Sequence, residues 1–180
     1  ARFADAGYGC YETSNFCRPG CESRHNLGYW LRRPYLSVGP SAHGLFAGAR
    51  YANWWSLDRW AEALERGLPP ESEREREDAA SRSREIVMLA LRLGSGLDFA
   101  DYPSEEREEL GVRYGPALEA ATRAGRLERT TRGYRVAPGH RFVADDVIAW
   151  IENRACRSFD RNGRDPINHL PCPSPHSPAA

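Results

Sequence analysis

Tyr11-Glu12-Thr13-Ser14-Asn15-Phe16, followed by Glu22-Ser23-Arg24-His25-Asn26-Leu27-Gly28-Tyr29-Trp30 and then by Tyr35-Leu36-Ser37-Val38-Gly39-Pro40-Ser41-Ala42-His43-Gly44, is the stretch on which the fold turns. Tyr8 to Phe16 carries Cys10, Tyr11 and Thr13 and closes on Ser14-Asn15, the pattern of a short strand with polar side chains at its C-terminal end, where α/β sheets place their sites. Arg18-Pro19-Gly20 breaks the chain, and a loop leads into a helical turn on which His25 and Tyr29 stand at i and i+4, on one face. Tyr35 to Val38 reads as a second short strand. It ends in a tight turn whose Gly39 and Gly44 can take positive φ.

Outward from this core, Arg2 to Gly7 reads as the last turn of a helix rather than a natural start, and the first residue is Ala1, so a truncated chain is expected. Ser56 caps a helix with Leu57, Trp60, Ala61 and Leu64 on one face, stopped by Gly67 and Pro69-Pro70, where a domain boundary is expected. Glu71 to Glu85 is dense in mixed charge and Ile86, Leu89, Ala90 and Leu93 follow at helical spacing, which predicts one long helix with a solvated front. Ser104 should cap a short acidic helix and Pro116 should open a second one ending at Gly125. Leu127–Thr131 and Tyr134–Ala137 flank Arg132-Gly133 as a hairpin, and Phe142 to Ile151 gives a closing helix. Helix, helix, two-stranded wing and helix is a winged-helix-like order. Residues 157–180 hold five prolines with no periodicity and are expected to be a disordered tail.

The 25 cations balance 25 anions in 180 residues, and every cation is arginine. Codon usage accounts for the missing lysine, since arginines spread along the whole chain share no chemical role. Zero net charge removes the field of a protein that coats nucleic acid or anionic lipid. No apolar run reaches the ~20 residues of a membrane span, and no signal pattern opens the chain. Five cysteines, at 10, 17, 21, 156 and 172, are an odd and uneven set, which points to a reducing, cytoplasmic setting.

Two groups could carry chemistry. Cys17-x3-Cys21 looks like the start of a Cys-x3-Cys-x2-Cys loop for a four-iron cluster, but the third position is Arg24, so no metal site is assigned. His25-Asn26-x-x-Tyr29-Trp30 brings an imidazole, an amide and two large aromatics together; imidazole ligates haem iron and flat rings pack against a porphyrin. Core aromatics beside a surface histidine are the competing reading of the same residues.

The flanks decide. Tyr11 to Phe16, Arg18-Pro19-Gly20, Glu22 to Trp30 and Tyr35 to His43 closely resemble the HemW-type haem chaperones, relatives of oxygen-independent coproporphyrinogen III oxidase in the radical S-adenosylmethionine superfamily. Arg50-Tyr51-x-Asn53, the Glu85 to Leu93 segment and Phe142-x-x-Asp145 extend the resemblance over roughly residues 7–151. It implies an α/β partial barrel remnant, the last strands of a radical SAM barrel, over residues 1–67, followed by a mainly α winged-helix-like C-terminal domain over 68–156. It implies haem binding by His25, Asn26, Tyr29 and Trp30, with His25 as axial ligand; Tyr11, Glu12, Asn15 and Arg24 support the motif. Gly39, Ala42 and His43 would lie near S-adenosylmethionine, in a loop where Ser37 and Ser41 replace two usual glycines. The implied partners are haem and an unidentified haem-accepting protein. S-adenosylmethionine and a four-iron four-sulfur cluster belong to the parent, whose cluster cysteines are not in this chain, so no radical chemistry is expected of it alone. The alternatives are a coproporphyrinogen oxidase and, from another class, a winged-helix nucleic-acid module over 71–155, for which Pro116 to Ala124 offers only Glu119 and Arg123 to read bases.

Overall fold

The computed structural model describes residues 2–161, with side chains to Arg157. The order is α1 Arg2–Asp5, β1 Gly9–Cys10, β2 Phe16–Cys17, α2 Arg24–Trp30, β3 His43–Phe46, β4 Ala49–Asn53, α3 Leu57–Glu65, β5 Glu71–Arg76 and α4 Ala79–Ala90 in the first half. The second continues with β6 Leu97–Asp98, α5 Ser104–Arg123, β7 Leu127–Arg129, β8 Gly133–Val136 and α6 Ala144–Arg161. Three small sheets have the orders β1-β2, β3-β4-β5 and β6-β8-β7. Every strand pair among the described residues is antiparallel, so the parallel pairing of a closed barrel is not formed among them.

The core lies in the second half. Ile86, Val87, Ala90 and Leu91 of α4 and its end meet Leu110, Tyr114, Ala117, Leu118 and Ala121 of α5 and Val147, Ile148 and Ile151 of α6, over Leu97, Leu127 and Tyr134 of the sheet. Leu97, Leu110, Leu118, Val147 and Ile151 are fully buried, each burial contributing about 1.5–3 kcal/mol. The first half carries little such material. Leu36, Val38, Trp55 and Leu57 are exposed, and its elements are held largely by hydrogen bonds and ion pairs.

Several expectations are corrected. The single strand over Tyr8–Phe16 is a two-strand hairpin in which Tyr11 N–H donates to the Asn15 carbonyl at 3.1 Å, because Ser14-Asn15 turns the chain. Tyr35–Val38 contributes one bridge, Tyr35 to Leu45, and no strand. The hairpin of β3 and β4 is not anticipated; its turn, Ala47-Gly48, holds both residues at positive φ (53° and 72°), the geometry of a two-residue turn that matches strand twist. The charged front of the expected long helix is the edge strand β5, whose Arg74 and Glu75 face Tyr51 and Arg50 across the ladder. Charge on an exposed edge opposes further pairing. The helix starts only at α4, capped by Asp78, whose carboxylate accepts from Ser81 N–H at 2.6 Å.

The two expected short helices are one, α5, with Pro116 inside it. Pro116 and Val112, whose carbonyl loses its helical donor, are both exposed residues, which lowers the cost of the missing bond. Pro138–Val143 is a 3-10 turn rather than the start of the closing helix, and α6 runs past Arg157 to Arg161. The remainder of the expected tail, 162–180, lies outside the described residues. Other readings hold: Gly7 ends the first helical turn at φ 78°, Ser56 caps α3, and the Leu127–Val136 hairpin forms, with β6 added as a third strand.

Candidate functional site

Ser23 starts α2, its hydroxyl accepting from Asn26 N–H at 3.3 Å. A helix of this length would not persist alone, and it is fixed at both ends. At the front, Asn26 Nδ2 donates to Tyr11 Oη at 3.1 Å. At the back, Arg32 stands at φ 54° and pairs with Glu77 and Glu85, which also pair with Arg50 of β4. Arg32 and Glu77 are each only 10% exposed in their side chains, and burial together with the neighbouring Arg50 guanidinium lowers the Arg32 pKa to about 10.

Held this way, α2 presents two rings outward. His25 and Tyr29 are exposed, with ring centroids 4.8 Å apart in edge contact, and Tyr29 makes a second edge contact with Tyr35 at 4.6 Å. Asn26 and Trp30 are half-buried, and the Trp30 Nε1 donor is buried without an acceptor among the described residues. Arg24 and Asn15 are exposed. The spacing argument for His25 and Tyr29 therefore holds, whereas Asn26 is occupied in anchoring the helix.

Glu12 is buried at 1% exposure, and one of its carboxylate oxygens accepts from Ser14 N–H at 3.2 Å. It thereby closes the turn between β1 and β2. The same turn docks on the end of α4: Gly94 N–H donates to the Tyr11 carbonyl at 2.8 Å and Thr13 Oγ1 to the Arg92 carbonyl at 3.1 Å. A Cβ on Gly94 would lie 2.7 Å from the Cys10 carbonyl oxygen, so this approach requires glycine.

The loop from Gly39 to His43 is pinned from β4. Tyr51 Oη accepts from Ser37 N–H at 2.9 Å, Asn53 Nδ2 donates to the Gly39 carbonyl at 2.8 Å, and Asn53 N–H donates to the Ala42 carbonyl at 2.9 Å. Gly39 sits at φ 97° and Ser41 at φ 59°, so the serine occupies a left-handed position that favours glycine. Ala42 is half-buried and His43 exposed at the head of β3. The sequence reading named Arg50, Tyr51 and Asn53 only as resemblance; their roles as anchors, and the membership of Arg32 and Glu77, were missed.

Among the described residues Cys10, Cys17, Cys21 and Cys156 form no disulfide, and Cys17 has its pKa raised, first by desolvation and then by Glu22 and Cys21. Among the described residues no group of three or more His, Cys, Asp or Glu side chains could hold a metal ion, and no helix is long and apolar enough to cross a membrane.

No family model matches the chain. "Heme chaperone HemW" of Mycobacterium tuberculosis is 40% identical over 151 residues, covering 82% of this chain and 36% of that protein. "Heme chaperone HemW" of Lactococcus lactis is 28% identical over 156 residues, covering 80% and 40%. The mitochondrial "Radical S-adenosyl methionine domain-containing protein 1" of Danio rerio is 50% identical over 42 residues. Among solved structures, coproporphyrinogen III oxidase (HemN) from Escherichia coli, described as a radical SAM enzyme, superposes with a TM-score of 0.59 at 14% identity, covering 85% of this chain and 39% of that one. The chain thus spans little more than a third of the length of these HemW relatives, and what it shares with HemN is the fold. By sequence it belongs with the HemW-type haem chaperones of the radical SAM superfamily.

Proposed function

We propose that this chain is part of a protein that binds haem and passes it to haem proteins, with His25 as axial ligand and Tyr29 against the porphyrin. The observation that carries the reading is the exposed His25–Tyr29 ring pair on a helix held at both ends. Fixing the helix lowers the conformational cost of ligation, and exposure suits a carrier that must release its cargo. The unpartnered Trp30 indole donor leaves hydrogen-bonding capacity at the base of the pair. Haem here is cargo.

The parent family's iron-sulfur cluster does not fit the thiols present, since Cys17 and Cys21 are followed by Arg24 and no third ligand joins them among the described residues. Ala42 and His43 are our candidates for contact with S-adenosylmethionine in a longer protein, their loop being preset by Asn53. We further propose that residues 1–67 are the end of a radical SAM barrel and 68–156 a winged-helix-like unit with its two central helices fused, in a cytoplasmic protein. The likeness to HemN supports the first of these.

Hemin titrated into the chain should give a Soret shift characteristic of imidazole ligation. His25→Ala should weaken binding by roughly tenfold or more, about 1.4 kcal/mol, and move the band. An unchanged band and affinity would remove the assignment.

A further inference from the structure

Behind the Tyr11–Asn15 turn lies a cleft of about 220 Å³ lined by Thr13, Leu91 to Gly94, Arg135, Val136, Pro138, Arg141 and Ala144. Its walls are apolar apart from Thr13 and three guanidinium side chains, and no carboxylate residue lines it. Two of the guanidiniums are neutralised from outside: Arg92 by Asp145 at 2.8 Å and Arg135 by Glu128 at 2.7 Å. Arg141 is not. It is half-buried, one nitrogen donates to the Cys10 carbonyl at 2.8 Å, and it pairs with no carboxylate among the described residues. That bond fixes the guanidinium and leaves its remaining donors uncommitted. At the rim, on the same 3-10 turn, Phe142 is 91% exposed and Val143 45%. A half-buried cation without a counter-ion, in an apolar cleft with an exposed aromatic edge, calls for a carboxylate on a flat apolar body.

We propose that this cleft binds a carboxylate side chain of a tetrapyrrole, Arg141 receiving the carboxylate while the ring system lies toward Phe142. The ligand class rests on the haem reading above; the anion site rests on the cleft alone. It is separate from His25, from which the Tyr11–Asn15 turn divides it, Asn26 bonding Tyr11 while Thr13 lines the cleft.

Metal-free deuteroporphyrin IX and its dimethyl ester separate the two sites, because neither offers iron to His25. Binding to the 180-residue chain, followed by porphyrin fluorescence, should favour the free acid over the ester by roughly tenfold, the scale of one charge-assisted hydrogen bond. Arg141→Gln should reduce that preference to about twofold, whereas His25→Ala should leave it intact. Equal binding of acid and ester, survival of the preference in Arg141→Gln, or its loss in His25→Ala would each overturn the proposal. Should Arg141→Gln fail to fold, Phe142→Ala, at a position 91% exposed, gives the reading: weakened binding of the free acid supports the placement of the ring, and unchanged binding refutes it. If His25→Ala leaves the hemin Soret band unaltered while Arg141→Gln abolishes the acid preference, the axial-ligand assignment falls and the cleft stands.

Discussion

Glu77→Gln should be among the costliest single changes that alter charge without altering shape. Glu77 is 10% exposed and shares Arg32 and Arg50 with Glu85, so two carboxylates face two guanidiniums across the junction of α2, β4 and α4. Removing one partner of a buried pair costs about 3–5 kcal/mol, because the other charge remains buried without compensation. Here Glu85 still meets Arg32 at 2.5 Å, and Arg50, at 37% exposure, keeps part of its hydration, which brings the expected loss down to about 2–3 kcal/mol. For a chain of this length that is a fall in melting temperature of roughly 4–12 °C. Glu62→Gln removes an i,i+4 pair with Arg66 in which both side chains are 65% exposed, and should change stability by less than ~0.5 kcal/mol. Thermal melts of the two variants, at low and at 0.5 M salt, give the comparison. Salt should erase the small Glu62 effect and leave most of the Glu77 effect. Coincident melting of Glu77→Gln with the parent chain would refute the reasoning. Replacing all four residues with Met and Leu should recover part of the loss, since the network's net value over apolar packing is small.

Other expectations come from single positions. Ser41→Gly should stabilise the chain by about 0.5–1 kcal/mol in urea unfolding, the relief of a left-handed serine exceeding the added freedom of the unfolded glycine; destabilisation would show that φ 59° carries no strain. Gly44→Ala places a Cβ 2.3 Å from the ring of Tyr51, which is fixed by Ser37 N–H, and should cost about 2–3 kcal/mol, visible as a lowered urea midpoint. Glu152 has its pKa raised by burial, against the opposing Tyr114 hydrogen bond and the charges of Arg84 and Arg113. The folded state therefore holds this proton at pH values where the unfolded state has lost it. Stability from this group is greatest below the unfolded value and declines as pH rises through the folded one. Glu152→Gln should remove that decline, raise stability at neutral pH and keep an acceptor for Tyr114, whose hydroxyl lies 3.0 Å from the carboxylate; a steeper pH profile in the variant would contradict this.

Where apolar periodicity was strong, the elements were legible. The buried residues of α4 and α6 recur at helical spacing, and Ser56 and Gly67 bracket α3. The failures have physical causes. Glu71 to Arg76 holds no apolar residue, so nothing in it distinguishes an edge strand from a solvated helix; its state is decided by β4, which it pairs. Pro116 looks like a helix start because a proline in mid-helix is usually too costly, yet here both residues of the lost bond are exposed. The ion network was invisible because Arg32 and Glu77 are distant in sequence and read, one at a time, as ordinary surface charges. The cleft was invisible for the same reason: Thr13, Arg92 and Arg141 meet only in three dimensions.

The residues that carry the family resemblance divide by what their side chains already do. Tyr11 is spent on Asn26, Glu12 on its own turn, Tyr51 and Asn53 on the Ser37–His43 loop, and Arg50 on Glu77 and Glu85. Glu12 aside, their shared work is to hold two short segments, α2 and the Gly39–His43 loop, that have almost no apolar burial of their own. Hydrogen bonds and ion pairs are directional, so each anchor tolerates fewer substitutions than an apolar contact of equal strength would. A signature built this way identifies the scaffold first. The chemistry has to be sought among exposed motif side chains such as His25, Tyr29 and His43, and the first two stand on α2, which is fastened at both ends.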